Sequence, residues 1–453
     1  MGGKELRNIQ GSGEQVVVLS LYPPFERYKG GGERFTEGMA AALGEQVEVR
    51  LFQATRAPFE YPRDGVLVGL TFYETIMRPE GARHINAPSA ALCSPSSRST
   101  AAAGVAPKVV GTEDVIIACN SPSCMALLVS QPYANDLTLH ILSSLVSGVP
   151  VLFSGHGDNS RRPLYDEVVS WAPARVTCLE QSETAAEDTR GAFYRPQVRL
   201  VRGGIDDMAL EEVTTAGILA RARQRRLLYV GRLLPHKGID HLIKAACQLS
   251  QGWSLDLCYR ESDPSYEAHL RKLALHSGPE VTFRRDLPDA ALARVSKSAT
   301  LAVCPSTHIT HSGYLEGQVE LLGIVILEMV ALGVPVISSD IPAYAETMEL
   351  LGLDSWLFPD GDVSSLAQLI ESVAGQMSAE PAEVVRCLEG AQERIGEFSW
   401  RRWARAVLAS LHSAPKSEHL SSPGHATHGV DGVARPDGVT DVTEGAASGG
   451  LGQ

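Results

Sequence analysis

Two glutamates in the last third of the chain could bind a hydroxylated ligand. Glu320 and Glu328 stand eight positions apart in ELLGIVILEMV, so both lie near one helix face if the helix begins at Leu322. Carboxylates accept hydrogen bonds in pairs, which suits the vicinal hydroxyls of a sugar or a ribose. The free N–H groups at a helix start can meet a phosphate or a sugar oxygen. The segment therefore predicts a sugar-nucleotide site, and the alternative is a surface helix with two unrelated acids.

Two basic residues, Arg232 and Lys237, occur in the segment YVGRLLPHKGIDHLI at 229–243. They follow a predicted strand, and α/β sheets bind ligands at the edge where their strands end. A guanidinium and an ammonium at that edge can neutralise a pyrophosphate, and the guanidinium can donate two hydrogen bonds to it. We interpret the pair as a diphosphate clamp. The alternative is two solvated basic residues in a turn between a strand and a helix.

Two further segments follow predicted strands of the first half. YKGGGER at 28–34 contains Gly30, Gly31 and Gly32, which would let the backbone approach a ligand closely at the start of a helix. VLFSGHGDNSR at 151–161 places His156 between two glycines. Either segment alone could be an ordinary turn, so each gains meaning only beside the other features.

Short apolar runs that alternate with helical patterns predict the scaffold for these side chains, because this alternation is typical of parallel α/β units. In the first half the candidate strands are 16–21, 47–52, 66–72, 114–120, 149–154, 174–179 and 198–203. In the second half they are 225–231, 255–260, 281–285, 299–305, 334–339 and 355–360. The restart of the pattern predicts two successive sheets, each in a Rossmann-like domain.

Composition along the chain predicts the boundaries of these domains. Residues 398–411 form an amphipathic pattern with Trp400, Trp403 and Val407 on one stripe, which predicts a helix that packs back. Residues 88–111 are rich in Ser, Ala and Pro and predict a mobile loop. The predicted segments are 1–14 (disordered), 15–205 (first domain), 206–224 (linker), 225–397 (second domain), 398–412 (C-terminal helix) and 413–453 (disordered tail).

Overall composition excludes several classes of protein. The 453-residue chain is 44% apolar and 21% charged, as globular proteins are, and its net charge of −13 argues against general nucleic-acid binding. The four arginines within 221–226 precede a strand and are interpreted as part of a solvated linker. The chain has no run of 18 apolar residues, no apolar leader region and no C-x-x-C pair among its eight cysteines. These features predict a cytoplasmic protein with reduced thiols and no integral membrane segment, and they give no support for peripheral membrane contact.

Together these segments resemble the retaining GT-B glycosyltransferases of the GT4 family, the glycosyl transferases group 1. The matching forms are E-x7-E followed by GVPVI, G-R-x-x-x-x-K-G, G-G-x-E-R and the histidine after a strand. The resemblance spans most of residues 15–412 and is strongest from 225 to 375. It implies a GT-B fold, in which an acceptor-binding and a nucleotide-sugar-binding domain face each other across a cleft. Tyr259, Arg260 and Arg285 stand where family members often have glycine, which leaves the identity of the nucleotide open.

The resemblance also implies a role for each candidate residue. The glycine loop would face the donor diphosphate, and Arg232 and Lys237 would bind it and stabilise the departing nucleotide. Glu320 and the backbone after it would hold the transferred sugar, and Glu328 would accept hydrogen bonds from the ribose. The implied catalytic set is His156, Arg232, Lys237 and Glu320. The implied donor-binding set is Gly30, Gly31, Gly32, Arg232, Lys237, Glu320, Leu321, Leu322, Gly323 and Glu328.

The implied activity is transfer of a hexose, with retention, from a nucleotide-diphosphate sugar to an acceptor hydroxyl. A UDP-sugar is the favoured donor, and the acceptor would be a small natural product or a polysaccharide or glycan precursor. No cofactor is expected. No metal is expected either, because the D-x-D formed by Asp360 and Asp362, which could suggest a metal, lies in a PDGD turn. One alternative is a non-catalytic GT-B-like protein that binds a nucleotide or sugar, although the implied set is complete. A phosphorylase with pyridoxal phosphate is disfavoured because no convincing context for a cofactor lysine is found.

Overall fold

The computed structural model describes residues 14–20, 24, 31–56, 71–79, 108–130, 149–154, 176–191, 197–205, 210–276, 278–317 and 319–413. Side chains are described throughout these ranges except at 31–34 and 412–413. All the described residues belong to one compact unit, and the structure describes none of residues 414–453. The two segments predicted to be disordered therefore lie outside the described residues, apart from their inner ends.

The first sheet has eight strands in the order β4-β3-β2-β1-β5-β6-β7-β8. In chain order they are β1 (Gln15–Ser20), β2 (Glu48–Ala54), β3 (Thr71–Met77), β4 (Lys108–Gly111), β5 (Cys124–Ser130), β6 (Val151–Ser154), β7 (Val176–Glu180) and β8 (Gln197–Leu200). Six neighbouring strands run parallel: β2, β1, β5, β6, β7 and β8. At the edge beside β2, β3 pairs antiparallel with β2 and β4 pairs antiparallel with β3.

The second sheet has six strands, all parallel, in the order β11-β10-β9-β12-β13-β14. They are β9 (Arg226–Val230), β10 (Ser254–Tyr259), β11 (Glu280–Arg285), β12 (Leu301–Cys304), β13 (Val336–Ser339) and β14 (Leu357–Phe358). The strand order reverses direction between β9 and β12, and in doubly wound sheets a ligand crevice opens at such a point. The prediction of an α/β fold with two Rossmann-like domains is confirmed.

Helices cover these sheets and connect their strands. They are α1 (Gly31–Gly44), α2 (Thr112–Cys119), α3 (Glu183–Arg190), α4 (Thr215–Gln224), α5 (Ile239–Ala246), α6 (Pro264–Leu275), α7 (Asp289–Ser298), α8 (Ile324–Ala331), α9 (Pro342–Leu351), α10 (Val363–Ala379), α11 (Pro381–Arg394) and α12 (Trp400–Ser413). Over the ranges given above, the structure contains no helix both long and apolar enough to cross a membrane.

The apolar strand β1 shows why the sequence forms a sheet covered on both faces. Val17 and Leu19 point into one core, and Val16 and Val18 point into the core on the opposite face. Successive side chains of a strand alternate between faces, so a continuous apolar run needs cover on both. All six residues of β1 are buried, which places this strand at the centre of the first sheet.

The prediction of a strand at 114–120 is wrong, because the segment forms α2 and the strand follows at β5. Val115, Ala118 and Cys119 are fully buried, whereas Ile117 is 67% exposed, so the apolar residues follow a helical period. Asp114 accepts a hydrogen bond from the backbone of Gly111 at 2.9 Å and so closes the first turn. A short apolar run does not distinguish a strand from a helix by periodicity alone.

The predicted linker at 206–224 and the predicted solvated arginines also need correction. Residues 215–224 form α4, and its Ile218 and Ala222 belong to the core of the second domain. Arg221 packs inward and donates hydrogen bonds to the carbonyl oxygens of Lys297 and Ala299 at the end of α7. Burial lowers the pKa of Arg221. The second domain therefore begins by residue 215 rather than 225.

The predicted mobile loop at 88–111 ends in regular structure. Its last four residues, Lys108–Gly111, form β4, which pairs antiparallel with β3. The rest of the predicted loop lies outside the described residues. Val109 and Val110 are β-branched residues that favour a pleated strand, a signal hidden beside the Ser- and Pro-rich stretch.

The helix α12 returns from the second domain and packs on α1 of the first. Trp400, Trp403 and Val407 are 4%, 1% and 1% exposed and belong to a core of the first sheet. The ring of Trp400 meets Phe35 edge-on with centroids 4.4 Å apart. A Cβ at Gly38 would lie 2.6 Å from the Trp400 indole nitrogen, so this close approach requires glycine.

Candidate functional site

The residues predicted to bind a diphosphate and a sugar meet at the carboxyl edge of the second sheet. Lys237 ends a short 3-10 helix (Pro235–Lys237) after β9, and Glu320 precedes α8. The Lys237 ammonium donates to Glu320 Oε1 in an ion pair whose side chains are only 14% and 16% exposed. Shielding from water strengthens such a pair relative to one on the surface. The structure thus brings one residue of the predicted clamp, Lys237, into contact with the predicted sugar carboxylate.

Two hydroxyl groups complete the surroundings of Glu320. Tyr344 in α9 donates to Oε1 at 2.7 Å, and Ser306 after β12 donates to the same oxygen at 2.9 Å. Burial alone would raise the pKa of Glu320, but Lys237 and these hydrogen bonds outweigh it and lower the pKa. Glu320 is therefore ionised near neutral pH. Its second oxygen, Oε2, has no hydrogen-bond partner among the described residues and can accept from a ligand.

Helix α8 begins at Ile324. The prediction that Glu320 and Glu328 share a helix face assumed a start at Leu322. The preceding Gly323 has a φ of +81°, a left-handed conformation that glycine adopts without strain and that ends the loop. Glu320 therefore lies in the loop before the helix. Glu328 lies inside the helix and is buried, with 9% of its surface exposed. The two carboxylates thus belong to different elements.

Arg232, the other residue of the predicted clamp, has a carboxylate partner of its own. Its Nη1 is 3.9 Å from Glu261 Oε2, and the two side chains are 41% and 35% exposed. The backbone carbonyl of Arg232 accepts a hydrogen bond from the Tyr229 hydroxyl at 2.7 Å, which holds the turn after β9. A long, exposed ion pair contributes little to stability, so the guanidinium can exchange this partner for an incoming anion.

Two loops on either side of the strand-order reversal touch each other beside Lys237. Gly238 has a φ of +63°, and a Cβ there would lie 1.9 Å from the carbonyl oxygen of Pro305, after β12. The backbone of Thr307 also donates to the His236 carbonyl at 2.8 Å. Burial, and then the charge of Lys237, lower the pKa of His236 to about 4. The His236 ring is therefore neutral at pH 7 and adds no charge to the clamp.

A cavity of about 330 Å³ opens beside Glu320, between the two domains. Thr184 and Asp188 of α3, and Ser182 directly before that helix, line it from the first domain. His308 and Glu320 line it from the second. Sites for small molecules have volumes of roughly 300–1,000 Å³, so the cavity is of a size for a small ligand. Hydroxyl and carboxylate groups on the wall from the first domain, and a carboxylate and an imidazole on the wall from the second, suit a ligand rich in hydroxyls.

Contacts of Glu346 hold the two walls of this cavity together. Glu346, in α9 of the second domain, accepts from the backbone of Glu183 at 2.7 Å and forms an ion pair with Arg202 of the first domain. Nearby, a Cβ at Gly204 would lie 2.9 Å from the side chain of Leu322, so the chain after β8 runs close to the loop before α8. The interdomain crevice is therefore narrow and polar at this point.

The structure describes only some of the predicted site residues. Gly30 and His156 lie outside the described residues, and Gly31 and Gly32 open α1. Sequence reasoning missed Ser306 and Tyr344. Ser306 follows a predicted strand at the same sheet edge as the clamp, which is a usable signal. Tyr344 lies in the first turn of α9, shortly after β13, and no sequence pattern distinguishes it as a site residue.

Two of the three residues that depart from the family pattern, Tyr259 and Arg285, lie next to each other at the ends of β10 and β11, and the third, Arg260, has a separate partner. The Tyr259 hydroxyl donates to Glu267 at 2.8 Å, and the Arg285 guanidinium lies 5.9 Å from the Tyr259 ring centroid. Arg260 forms an ion pair with Asp289, with Nη2 and Oδ1 2.5 Å apart. Side chains with fixed partners therefore stand at positions where glycine would present bare backbone.

The D-x-D pair does more than form a turn. Asp362 caps α10 by accepting from the backbone of Ser364 and Ser365, each at 3.0 Å. Asp360 accepts instead from the ring and the backbone of His308, at 2.8 and 3.1 Å. The two carboxylates therefore have separate structural partners. Within the part of the chain that the structure describes, no group of three or more His, Cys, Asp or Glu residues is placed to hold a metal ion.

A protein-family model and curated relatives match this chain. The family model described as glycosyl transferases group 1 matches residues 215–380. The alpha-maltose-1-phosphate synthase of Mycolicibacterium smegmatis is 26% identical over 319 residues, which cover 64% of this chain and 79% of the relative. The D-inositol 3-phosphate glycosyltransferase 1 of Catenulispora acidiphila is 29% identical over 203 residues, which cover 42% of this chain and 44% of the relative.

Solved structures resemble the whole architecture. Anabaena HepE, in complex with UDP and glucose, has a TM-score of 0.59 and 15% identity, and the match covers 88% of this chain and 100% of HepE. The sucrose-phosphate synthase of Thermosynechococcus elongatus has a TM-score of 0.58 and 18% identity, with coverage of 88% and 98%. At these identities the likeness establishes the fold, which is that of GT-B glycosyltransferases.

Proposed function

We propose that this chain, which belongs to the glycosyl transferases group 1 family through residues 215–380, transfers a hexose with retention of configuration. The donor is a nucleotide-diphosphate sugar, with UDP as the favoured nucleotide, and the acceptor group is a hydroxyl. Anabaena HepE, a solved structure of the same fold, was determined in complex with UDP and glucose, which favours this donor class. The acceptor is a small natural product or a precursor of a polysaccharide or glycan.

The contact between Lys237 and Glu320 carries the proposal. It joins the residue proposed for the diphosphate to the residue proposed for the sugar at the crevice of the second sheet. In the absence of donor, the two charges neutralise each other. A donor would replace this contact with two others, from its phosphate to Lys237 and from its sugar hydroxyls to Glu320. A nucleotide-diphosphate sugar can satisfy both groups, because it carries an anion next to a hydroxylated ring.

The proposed mechanism concentrates positive charge where the leaving group develops negative charge. As the bond between the anomeric carbon and the phosphate oxygen breaks, Lys237 and Arg232 stabilise the departing nucleotide diphosphate. The acceptor hydroxyl attacks the same face of the sugar, and its proton passes to the leaving phosphate. Glu320 keeps the ring in position through its hydroxyls. The backbone N–H groups around Gly323 add donors toward the same ligand.

A donor screen tests the proposed function directly. UDP-, GDP- and dTDP-sugars are compared by thermal shift, and the donor that stabilises the protein is then assayed for transfer to water. Proton NMR during the first turnovers identifies the anomer that is released. Release of the anomer with the donor's configuration supports retention. Binding without any turnover, with water or with a panel of acceptors, would favour the non-catalytic alternative.

Substitutions of Glu320 and Glu328 should have different effects on nucleotide binding and on turnover. Glu328→Ala should weaken binding of the free nucleotide diphosphate and raise KM, because a ribose contact persists from ground state to transition state. Glu320→Ala should lower kcat without weakening free nucleotide binding, because it removes contacts at the reacting ring. Isothermal titration calorimetry and steady-state kinetics on both variants provide the comparison. Equal losses of nucleotide affinity in the two variants would contradict this division of roles.

Transfer should persist in excess EDTA. Lys237, Arg232 and the N-terminus of α8 can together balance the charge of the diphosphate without a divalent cation. The measurement is the rate of donor consumption after dialysis against EDTA, with and without added Mg²⁺ or Mn²⁺. A rate that vanishes with the chelator and returns with either metal would show that the clamp alone is insufficient.

A further inference from the structure

A histidine and an aspartate outside the implied catalytic set form a pair on the wall of the cavity. The ring nitrogen Nδ1 of His308 lies 2.8 Å from Asp360 Oδ2, and the backbone N–H of His308 donates to the same oxygen at 3.1 Å. His308 lines the cavity together with Glu320. Two contacts to one carboxylate oxygen fix both the backbone and the ring of this histidine.

Both partners of the pair are held by their own surroundings. The backbone N–H of Asp360 donates to Asp340 Oδ1 at 2.7 Å, which anchors the turn after β14. The carbonyl of His308 accepts from the backbone of Glu316 at 2.7 Å, so His308 forms one end of an ordered hairpin whose strands meet again at Ile309 and Leu315. A ring held in this way presents one orientation to the cavity.

The contact with Asp360 determines which hydrogen bonds the His308 ring can make with a ligand. Burial raises the pKa of Asp360, but hydrogen bonds from Thr307 and His308 outweigh it and lower the pKa, so the carboxylate is ionised near neutral pH. A carboxylate accepts the proton of Nδ1–H, which leaves the lone pair of a neutral imidazole on Nε2. Among the described residues, Nε2 of His308 has no hydrogen-bond partner. The pair therefore presents an oriented acceptor without a protein donor.

We propose that His308, oriented by Asp360, binds the transferred sugar, with its Nε2 accepting a hydrogen bond from one of the sugar hydroxyls. This inference rests on the proposed function, and it adds a binding residue and a positioning residue to that site. Most of the cavity wall comes from the second domain, which the proposed function assigns to the donor. Because His308 shares the cavity with Glu320, the sugar ring would lie between the carboxylate and the imidazole.

The test separates the sugar from the nucleotide. Calorimetry measures the affinity of the variants for the diphosphosugar selected by the donor screen and for its free nucleotide diphosphate. His308→Asn, which keeps a polar group near Nδ1 but none at Nε2, should weaken sugar-nucleotide binding by about fivefold to tenfold, the scale of one neutral hydrogen bond. Affinity for the free nucleotide should stay the same. His308→Gln, whose amide can reach the position of Nε2, should recover part of the loss.

Asp360→Asn tests the positioning role. An amide can donate to Nδ1, which moves the ring proton to Nε2 and removes the acceptor, so the same selective loss is expected with the fold intact. His276→Asn is the matched control, since His276 is exposed at the C-terminal end of α6 and its ring bonds the carbonyl of Lys272.

The outcomes separate this inference from the function on which it rests. Unchanged sugar-nucleotide affinity in His308→Asn, or an equal loss for the sugar nucleotide and the free nucleotide, would overturn the assignment while leaving the glycosyltransferase proposal in place. A wild-type protein that binds no diphosphosugar in the screen would overturn both. A selective loss in His308→Asn and Asp360→Asn, with His276→Asn like wild type, supports the assignment.

Discussion

Replacing Lys237 with alanine should lower kcat by about a hundredfold or more, the usual scale for loss of one charged donor that acts in the transition state. The ammonium is the cation in direct contact with Glu320, so it stands where the phosphate meets the sugar. Arg232→Ala should act in the same direction, because the guanidinium supplies the second charge of the clamp. Steady-state kinetics with the donor chosen by the screen measure both effects.

The partly buried position of Lys237 means that its replacement also affects stability. Lys237→Ala leaves the carboxylate of Glu320, 16% exposed, without its cation, and an unpaired buried charge is costly. The double variant Lys237→Ala, Glu320→Gln should recover thermal stability but not turnover. Lys272→Ala, on the exposed side of α6, controls for loss of a lysine elsewhere. A kcat for Lys237→Ala near that of wild type would remove the residue from the clamp.

A chain that ends near residue 397 should fail to fold stably, whereas a chain that ends at Ser413 should fold and keep its activity. The shorter chain loses α12, and with it Trp400, Trp403 and Val407 from a core of the first sheet. Replacing one buried tryptophan by alanine costs about 3–5 kcal/mol. Loss of all three side chains is therefore comparable with the whole stability of a typical domain, about 5–15 kcal/mol. Soluble yield and thermal unfolding measure the difference.

A single substitution isolates the same contact without shortening the chain. Trp403→Ala, at a residue 1% exposed, should lower the midpoint of thermal unfolding, and Arg402→Ala, at its exposed neighbour, should change it little. If the two truncated chains were equally stable, or the two substitutions had equal effects, α12 would not be a structural part of the first domain.

The sequence predicted those parts of the molecule in which local pattern and tertiary role agree. Strands such as β9 lie at the centre of a sheet and are buried on both faces, so they consist largely of consecutive apolar residues that can be recognised in the sequence. Arg232 and Lys237 follow that strand closely, so the sheet edge that they share could be predicted from their spacing. The amphipathic stripe of α12 likewise matched a single buried face.

Prediction failed where the deciding contact lies far away in the chain. Tyr344 joins Glu320 across 24 positions, and Asp360 joins His308 across 52, so neither contact leaves a local pattern. The segment that forms α2 fits a strand equally well until its exposed Ile117 and the neighbouring β5 are known. The start of α8 depended on a left-handed Gly323, a conformation that spacing alone does not reveal.

The return of α12 means that the first domain is not a continuous stretch of chain. At the crossing, the backbone of Trp400 donates to Ile205, and Ile205 donates to Phe398, so the outgoing and returning chains run side by side. No single cut can therefore release the first domain whole. Recombination between relatives that exchanged only the first 205 residues would pair α1 of one protein with α12 of another. Such chimeras would need Gly38 and Trp400 from the same parent, since each is shaped to the other.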